Sequence, residues 1–127
     1  MTLGLILFAH GARDPRWAQP FEAVAAQVRA ARPGTAVRLA YLELMAPDLP
    51  SVGAELAAAG CTQVQILPLF LGAGGHVRRD LPALVDGLRA AHPGTVFTLH
   101  HAAGESPHVI AALAAAGLAA LDTPAAP

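Results

Sequence analysis

Three side chains that can bind a metal ion recur along this sequence at one constant interval. His10 to Glu43 and Glu43 to His76 are both steps of 33 residues (43 − 10 and 76 − 43). Two imidazoles and a carboxylate suit a divalent transition-metal ion such as Co2+, Ni2+, Fe2+ or Zn2+. Because three ligands leave coordination positions open, the set favours an ion that is handed on over a closed structural site.

The elements that must position these residues alternate regularly along the chain. The unbroken apolar run 3–9 predicts a strand buried on both faces, which ends at His10 and Gly11. Helical spacing of apolar residues and terminal PG or Gly breaks predict helices over 15–32, 49–59, 76–92 and 107–121, the second capped by Asp48 or Ser51. Further strands are predicted over 36–44, 62–71 and 95–101.

The order βαβαβαβα predicts parallel strands with right-handed crossovers, as in a flavodoxin-like three-layer sandwich with a four-stranded parallel sheet. Residues 1–121 would form a single domain and 122–127 a flexible tail. The carboxyl ends of parallel strands share one edge, where open α/β sheets bind their ligands. The first three strands therefore bring His10, Glu43 and His76 to the same edge.

Composition excludes several classes of protein. The 127 residues carry a net charge of −1, and all eight basic residues are arginine, which argues against a nucleic-acid binder. Cys61 is the only cysteine, so neither a disulfide framework nor a CxxC metal site is expected, and a cytoplasmic location is predicted. The first apolar run reaches charged residues too soon for a signal peptide or a membrane span.

Each proposed ligand also has an ordinary structural explanation. His10 could cap a helix or lie at the edge of the core, Glu43 could be an exposed charge, and His76 could be a turn residue. The shared placement of the three favours a site. The other four histidines are expected at helix ends or along the rim of this edge: His92, His100, His101 and His108.

Arginines cluster beside the two proposed histidine ligands. Four of the eight lie within six residues of them: Arg13, Arg16, Arg78 and Arg79. Guanidinium groups bind carboxylates through paired hydrogen bonds, so the cluster favours a substrate with several carboxylates. The alternative is that Arg13 with Asp14, or Arg79 with Asp80, forms a local ion pair on a solvated surface.

Three strings, one after each of the first three strands, carry a family resemblance. HGARDPR, LEL with PDLP, and ILPLFLGAGGHVRRDLP resemble the small CbiX/SirB class of sirohydrochlorin chelatases, and the resemblance runs from Leu3 to Leu118. It implies insertion of Co2+ into sirohydrochlorin without ATP in cobalamin biosynthesis. The alternative metal substrates are Fe2+, which would give sirohaem, and Ni2+. The histidine-rich tract of some members is missing here, so metal delivery by that route is not expected.

The resemblance also implies roles for individual residues. His10 and His76 match the family's histidines, which would bind the metal and accept a proton as it leaves. Glu43 matches the family's metal-site glutamate and would be either a further ligand or a proton acceptor. The four arginines would meet the carboxylates of the macrocycle. Its flat ring would meet an apolar wall and a glycine-rich loop, formed by Leu42, Leu44, Leu69, Phe70, Leu71, Gly72, Gly74 and Gly75.

Other functional classes fit the motifs less well. In histidine phosphatases the nucleophilic histidine follows an arginine, whereas Ala9 precedes His10 here. A nucleotide- or phosphate-binding module could use GAGGH, but the GxGxxG spacing is absent, and neither ATP nor flavin is expected. A non-catalytic metal or tetrapyrrole carrier with the same ligands stays open.

A homodimer is expected on geometric grounds. A flat macrocycle needs walls on both sides, and a single four-stranded domain offers only a shallow cleft at one sheet edge. Longer relatives of the resembled class have two similar domains, and a chain of half that length can reproduce this arrangement by pairing with itself. The predicted interface is apolar and close to the carboxyl ends of the strands, and no nucleic-acid or membrane partner is expected.

Overall fold

The computed structural model describes residues 2–72 and 74–124, except for the side chain of His76. Ala73 of the glycine-rich loop and residues 125–127 of the predicted tail therefore lie outside the described residues. Within them, strands and helices alternate, and a short 3₁₀ turn precedes both α1 and α4. The bounds are β1 Thr2–Ala9, α1 Gln19–Ala31, β2 Ala36–Tyr41, α2 Leu49–Ala58, β3 Cys61–Pro68, α3 Gly75–Ala91, β4 Val96–Leu99 and α4 Pro107–Leu121.

The four strands form one parallel sheet in the order β2-β1-β3-β4, which confirms the predicted fold class. β1 lies between β2 and β3, and Ile6 is opposite Arg38 on one side and Ile66 on the other. A strand in this position is covered on both faces, which explains the continuous apolar run from Leu5 to Ala9.

The main core lies between the sheet and the pair α2 and α3, and a smaller one lies between the sheet and α1. Because successive strand residues point to opposite faces, Ile6 and Phe8 enter the main core while Leu7 enters the smaller one. Each of these three side chains is at most 1% exposed. The sheet is thereby anchored at its centre, and its carboxyl edge is left to the loops.

Several strand ends differ from the prediction. β2 ends at Tyr41 instead of residue 44, and the chain then turns back so that the carbonyl of Pro47 accepts a hydrogen bond from the N–H of Tyr41 at 2.9 Å. β3 ends at Pro68 instead of residue 71, and β4 at Leu99 instead of residue 101. Asp48, the first of the two predicted caps, begins α2 by accepting the N–H of Ser51 at 2.9 Å.

The helices α1 and α3 end in the same kind of turn. The N–H of Arg32 donates to Val28 and the N–H of His92 to Leu88, both at 2.9 Å, and a PG turn follows each. His92 is thus the C-cap residue of α3, as its position predicts.

One turn of helix earlier, an arginine reaches from each helix to an edge strand. Arg29 donates two hydrogen bonds to the carbonyl of Val37 on β2, at 3.2 and 2.8 Å. Arg89 donates two to the carbonyl of Phe97 on β4, at 3.2 and 3.0 Å. Both outer strands of the sheet are therefore tied to the helix that precedes them.

The last helix, α4, follows the predicted bounds but is unusual in its packing. None of its residues is buried, and its main tertiary contact is with the short 3₁₀ turn Ala103–Glu105 just before it. Its sequence is almost entirely apolar. No helix among the described residues is both long enough and apolar enough to cross a membrane.

Candidate functional site

Backbone hydrogen bonds join the loops that follow β1 and β2. The N–H of Leu42 donates to the carbonyl of Ala9 at 2.9 Å, and the N–H of Glu43 donates to the carbonyl of His10 at 3.1 Å. These bonds place His10 and Glu43 next to each other at the carboxyl edge of the sheet. The main chain thus brings together two of the three predicted ligands.

Gly11 makes this close approach of the two loops feasible. Its φ of 95° lies in the region that residues with a Cβ rarely adopt. A Cβ atom here would overlap the carbonyl oxygen of Glu43 and lie 3.0 Å from its carbon. The HG pair that ends the first strand is therefore required by the contact with Glu43 as well as by the turn.

Glu43 lies in a loop and not on the strand, as a consequence of the early end of β2. Its neighbour Leu44 has a φ of 65°, which is uncommon for a residue other than glycine. The carboxylate of Glu43 is exposed and makes no hydrogen bond or ion pair with any side chain in the described part of the chain. It is free to bind an ion or accept a proton.

The imidazole of His10 packs against the ring of Phe70. The two ring centroids are 4.9 Å apart with an interplanar angle of 41°, and Phe70 in turn meets Phe8 edge-on at 5.9 Å. Phe70 is buried, whereas His10 is exposed. The described residues offer no hydrogen bond to the ring nitrogens of His10, which leaves them open to a ligand. An aromatic support thus orients a solvent-facing imidazole.

His76 is the second residue of α3, the helix that follows the carboxyl end of β3. Its side chain lies outside the described residues, so its role as the third ligand stays a prediction. Among the side chains that are described, no three His, Cys, Asp or Glu lie close enough together to hold a metal ion. Cys61 is no candidate, because it begins β3 at the opposite edge and burial raises the pKa of its thiol.

The guanidinium of Arg16 is occupied by its neighbour Asp14. Nε donates to both carboxylate oxygens at 3.2 and 3.1 Å, and Nη2 donates to one of them at 2.9 Å. These bonds hold the pKa of the Asp14 carboxyl below its ordinary range. The alternative of a local ion pair between Arg13 and Asp14 is thus wrong, because Asp14 pairs with Arg16 instead. A substrate carboxylate would have to compete with Asp14 for Arg16.

The other three arginines of the cluster, Arg13, Arg78 and Arg79, are exposed around the same edge. Arg78 lines a cavity of about 360 Å³ beside Phe70, together with His100, His101 and Glu105. The strand-end histidines therefore line this cavity, and their place at the rim of the metal site stays a prediction.

Sequence reasoning did not single out Glu105 or the partner of His100. Glu105 precedes Ser106, whose hydroxyl accepts a hydrogen bond from the N–H of His108 and caps α4. The sequence signal that could have indicated Glu105 is its position directly before the capping residue Ser106. His100 is held at 2.6 Å, through Nε2, by the side-chain oxygen of Gln65, and no sequence pattern indicated this pair.

The predicted apolar wall is divided between core and solvent. Phe70 is only 7% exposed, whereas Leu44 and Leu71 are 58% and 70% exposed and have no apolar cover. Leu42 and Leu69 are half-buried against the two cores. The exposed pair, Leu44 and Leu71, is thus the part of the wall that is available to a flat ligand.

The described glycines of the loop after β3 are not required by packing within the protein. A Cβ atom at Gly72, Gly74 or Gly75 would meet nothing within 4 Å, and none of these residues has a positive φ. All three are exposed. In contrast to Gly11, they leave open space at the surface beside α3, which suits close contact with a molecule from outside.

Comparison with known proteins gives a family match and several similar proteins. The CbiX family model matches residues 4–117. The sirohydrochlorin cobaltochelatase of Methanosarcina acetivorans is 26% identical over 83 residues, which cover 65% of this chain and 64% of that protein. The chain therefore spans less than two thirds of the length of that curated relative.

Two solved structures are similar in fold. A cobalamin (vitamin B12) biosynthesis CbiX protein from Marinobacter aquaeolei VT8 has a TM-score of 0.83 and 32% identity, covering 94% of this chain and 98% of that one. The sirohydrochlorin chelatase SirB from Bacillus subtilis subspecies spizizenii, in complex with cobalt, has a TM-score of 0.72 and 22% identity. It is covered over only 49% of its length, and at that identity the likeness concerns the fold alone.

Proposed function

The chain belongs to the CbiX family, and from this premise we propose that it inserts Co2+ into sirohydrochlorin, without ATP, in cobalamin biosynthesis. The observation that carries the proposal is the pairing of His10 with Glu43 by the main chain at the carboxyl edge. Both side chains are exposed, so the donors face the solvent from which metal and macrocycle arrive.

The metal ion is a substrate that must be held weakly and released into the ring. In this proposal a neutral imidazole nitrogen of His10 binds the ion, with Glu43 and His76 as further ligands, and the open positions keep water that the ring nitrogens replace. Two pyrrole protons leave the macrocycle as the ion enters. His10, once the ion has left it, and Glu43 are the groups that accept them.

The macrocycle brings peripheral carboxylates and a flat apolar face. Arg13, Arg78 and Arg79 are proposed to bind the carboxylates, and Arg16 to join them only where a carboxylate displaces Asp14. Leu44 and Leu71 are proposed to meet the ring face, with the open glycines beside them. These contacts are supported by the exposure of the side chains.

A homodimer in the cytoplasm completes the proposal. One sheet edge offers a shallow site, and a second copy would supply the opposite wall for the macrocycle. The cytoplasmic location is supported by the single cysteine in 127 residues, which leaves no disulfide framework.

The test is the absorbance change of sirohydrochlorin on mixing with the protein and Co2+, Fe2+ or Ni2+ separately. Acceleration over the uncatalysed rate with Co2+ supports the proposal, and a greater acceleration with Fe2+ or Ni2+ would reassign the metal. Binding of metal or macrocycle without acceleration for any of the three would contradict the proposal and favour a carrier.

A further inference from the structure

The two halves of the chain, β1 to α2 and β3 to α4, repeat one local architecture at an interval of 60 residues. Arg29 of α1 is hydrogen-bonded to the carbonyl of Val37 on β2. At the same interval, Arg89 of α3 is hydrogen-bonded to the carbonyl of Phe97 on β4 (89 − 29 and 97 − 37). The strand order β2-β1-β3-β4 places the two halves side by side in one sheet. A position in one half can therefore be compared with the position 60 residues away in the other.

This comparison shows a space that is filled in the first half and open in the second. Between α1 and the end of β2 lies an apolar cluster around Tyr41, which is 6% exposed. The cavity beside Phe70 lies between α3 and the end of β4, and we call it the Arg78 cavity. The two places correspond in four pairs of residues 60 positions apart: Ala18 and Arg78, Phe21 and Leu81, Leu39 and Leu99, and Tyr41 and His101. The second half thus leaves open a space that the same architecture can close.

The Arg78 cavity has an apolar floor and few polar groups. Phe70 and Leu81 are each 7% exposed and form part of the floor. Arg78 and Glu105 are exposed, and neither side chain makes a hydrogen bond or an ion pair with the described part of the chain. His101 is also exposed, and its imidazole can donate an N–H. A guanidinium in this state beside an apolar floor suits a ligand with a short apolar stem that ends in a carboxylate.

The Arg78 cavity adjoins the proposed metal site through Phe70. The ring of Phe70 lies against the imidazole of His10, with 4.9 Å between the centroids, and Phe70 also lines the cavity. The exposed Gly74 lies one turn of helix before Arg78, and its carbonyl accepts the N–H of Arg78 at 3.0 Å. A flat macrocycle bound over His10 would therefore extend a peripheral group toward the cavity, whose volume of about 360 Å³ holds an acetate or propionate group together with water.

We propose that the Arg78 cavity binds one acetate or propionate arm of sirohydrochlorin, with Arg78 paired to its carboxylate and His101 donating a second hydrogen bond. This inference rests on the proposed function, because it takes the same macrocycle as the ligand. Arg78 is the only arginine or lysine among the described residues of the lining, and Glu105 repels a further carboxylate, so a single arm is accepted. Binding of one arm fixes the rotation of the ring over His10.

Two neutral substitutions test the charges of the cavity. Metal-free sirohydrochlorin is titrated with each protein at low ionic strength, and the change in its absorbance gives Kd. Arg78→Gln should raise Kd about tenfold, because the paired hydrogen bonds to the carboxylate are lost. Glu105→Gln should lower Kd about two- to threefold, because a like charge is removed.

Arg32→Gln is the matched control. Arg32 is an exposed arginine at the other edge of the sheet, directly after α1, and its loss changes the net charge by the same amount as the loss of Arg78. Its Kd should stay within about twofold of wild type. Equal values of Kd for Arg78→Gln and Arg32→Gln would overturn the proposal, and so would a higher Kd for Glu105→Gln.

Filling the cavity tests the space itself. The double variant Leu81→Phe with His101→Tyr gives the second half the two rings that close the corresponding space in the first, those of Phe21 and Tyr41. It should raise Kd for sirohydrochlorin at least about tenfold, whereas His92→Tyr at the opposite edge should not. Urea unfolding shows whether the double variant folds; where it does not, His101→Tyr alone, at an exposed position, takes its place. A folded variant that binds the macrocycle as wild type does would refute the proposal.

The binding measurements separate the cavity from the proposed function. Co2+ binding to the protein alone, measured by calorimetry, should be unchanged in the filled variant, because His10 and Glu43 are not part of the cavity lining. Loss of Co2+ binding in that variant would contradict a pocket that is specific for the arm. Macrocycle binding that follows these charges without metal insertion would contradict the proposed function alone. Metal insertion together with a Kd that none of the substitutions changes would contradict the Arg78 cavity alone.

Discussion

Gly11 offers the sharpest test of how the main chain builds the site. In Gly11→Ala the alanine would have to adopt a φ of 95°, and its Cβ would overlap the carbonyl oxygen of Glu43. The backbone conformation alone costs about 1–3 kcal/mol. The overlap also separates the loops and breaks the hydrogen bond from Glu43 to His10, a loss of about 1 kcal/mol. Because Gly→Ala also restricts the unfolded chain, which offsets about 0.4–1 kcal/mol, we expect a net loss of about 1–3.6 kcal/mol in the free energy of unfolding.

Gly60 is a matched control for the conformational part of this loss. It has nearly the same φ, 93°, but a Cβ there would meet nothing within 4 Å. Each Gly→Ala change also restricts the unfolded chain, which stabilises the protein by about 0.4–1 kcal/mol, and this contribution cancels between the two variants. Gly11→Ala should therefore lose about 1 kcal/mol more than Gly60→Ala, and the excess reports the contact with Glu43.

Equilibrium unfolding in urea measures both variants, provided that the slopes with denaturant agree. Chelatase turnover measured on the folded variants should fall in Gly11→Ala, because Glu43 is displaced from His10, and should stay near wild type in Gly60→Ala. Equal losses of stability in the two variants, or full turnover in Gly11→Ala, would contradict the role given to this contact.

Three further substitutions test the site and the scaffold. His10→Ala should lower kcat by at least about 100-fold, as for loss of a group that takes part in proton transfer, while His92→Ala at the opposite edge should not; comparable rates in the two would refute the assignment. Arg78→Ala should raise KM for the macrocycle about tenfold with little change in kcat, the signature of lost uniform binding, and an effect confined to kcat would contradict it. Hydrogen bonds from Ser51 lower the pKa of Asp48, so its contribution to stability is present above the ordinary carboxyl pKa and disappears as pH falls through the lowered value. Wild type should accordingly lose stability relative to Asp48→Asn in urea titrations as pH drops from about 5 to about 2, and a difference that is constant with pH would exclude this linkage.

The order of the elements follows from the sequence because β1 is a continuous apolar run, apolar residues recur at helical spacing in the helices, and α1, α2 and α3 each end at a glycine or a PG turn. The same patterns bring His10 and Glu43 to one edge, since parallel strands share their carboxyl ends. The predicted end of β2 is three residues too late, because Leu42 and Leu44 continue the apolar pattern although the regular strand ends at Tyr41. Hydrophobic periodicity does not report where a strand gives way to a loop.

Two features of the site depend on tertiary contacts that no local pattern encodes. The packing of His10 against Phe70 joins residues 60 positions apart (70 − 10), and the hydrogen bond between His100 and Gln65 joins the end of β4 to β3. The sequence does not indicate the exposure of α4 either. Its apolar sequence predicts burial, and only the structure reveals that the protomer itself provides no cover.

The arginine clamps on the two outer strands bear on how copies of this protein can associate. Arg29 and Arg89 each take up a carbonyl of an edge strand that would otherwise be available to accept a hydrogen bond from an incoming chain. The same nine-residue pattern, RAARPGTAV at one edge and RAAHPGTVF at the other, builds both clamps. Strand pairing between molecules is therefore hindered at one carbonyl on each outer strand, which favours helices and sheet faces as the surfaces through which copies can assemble.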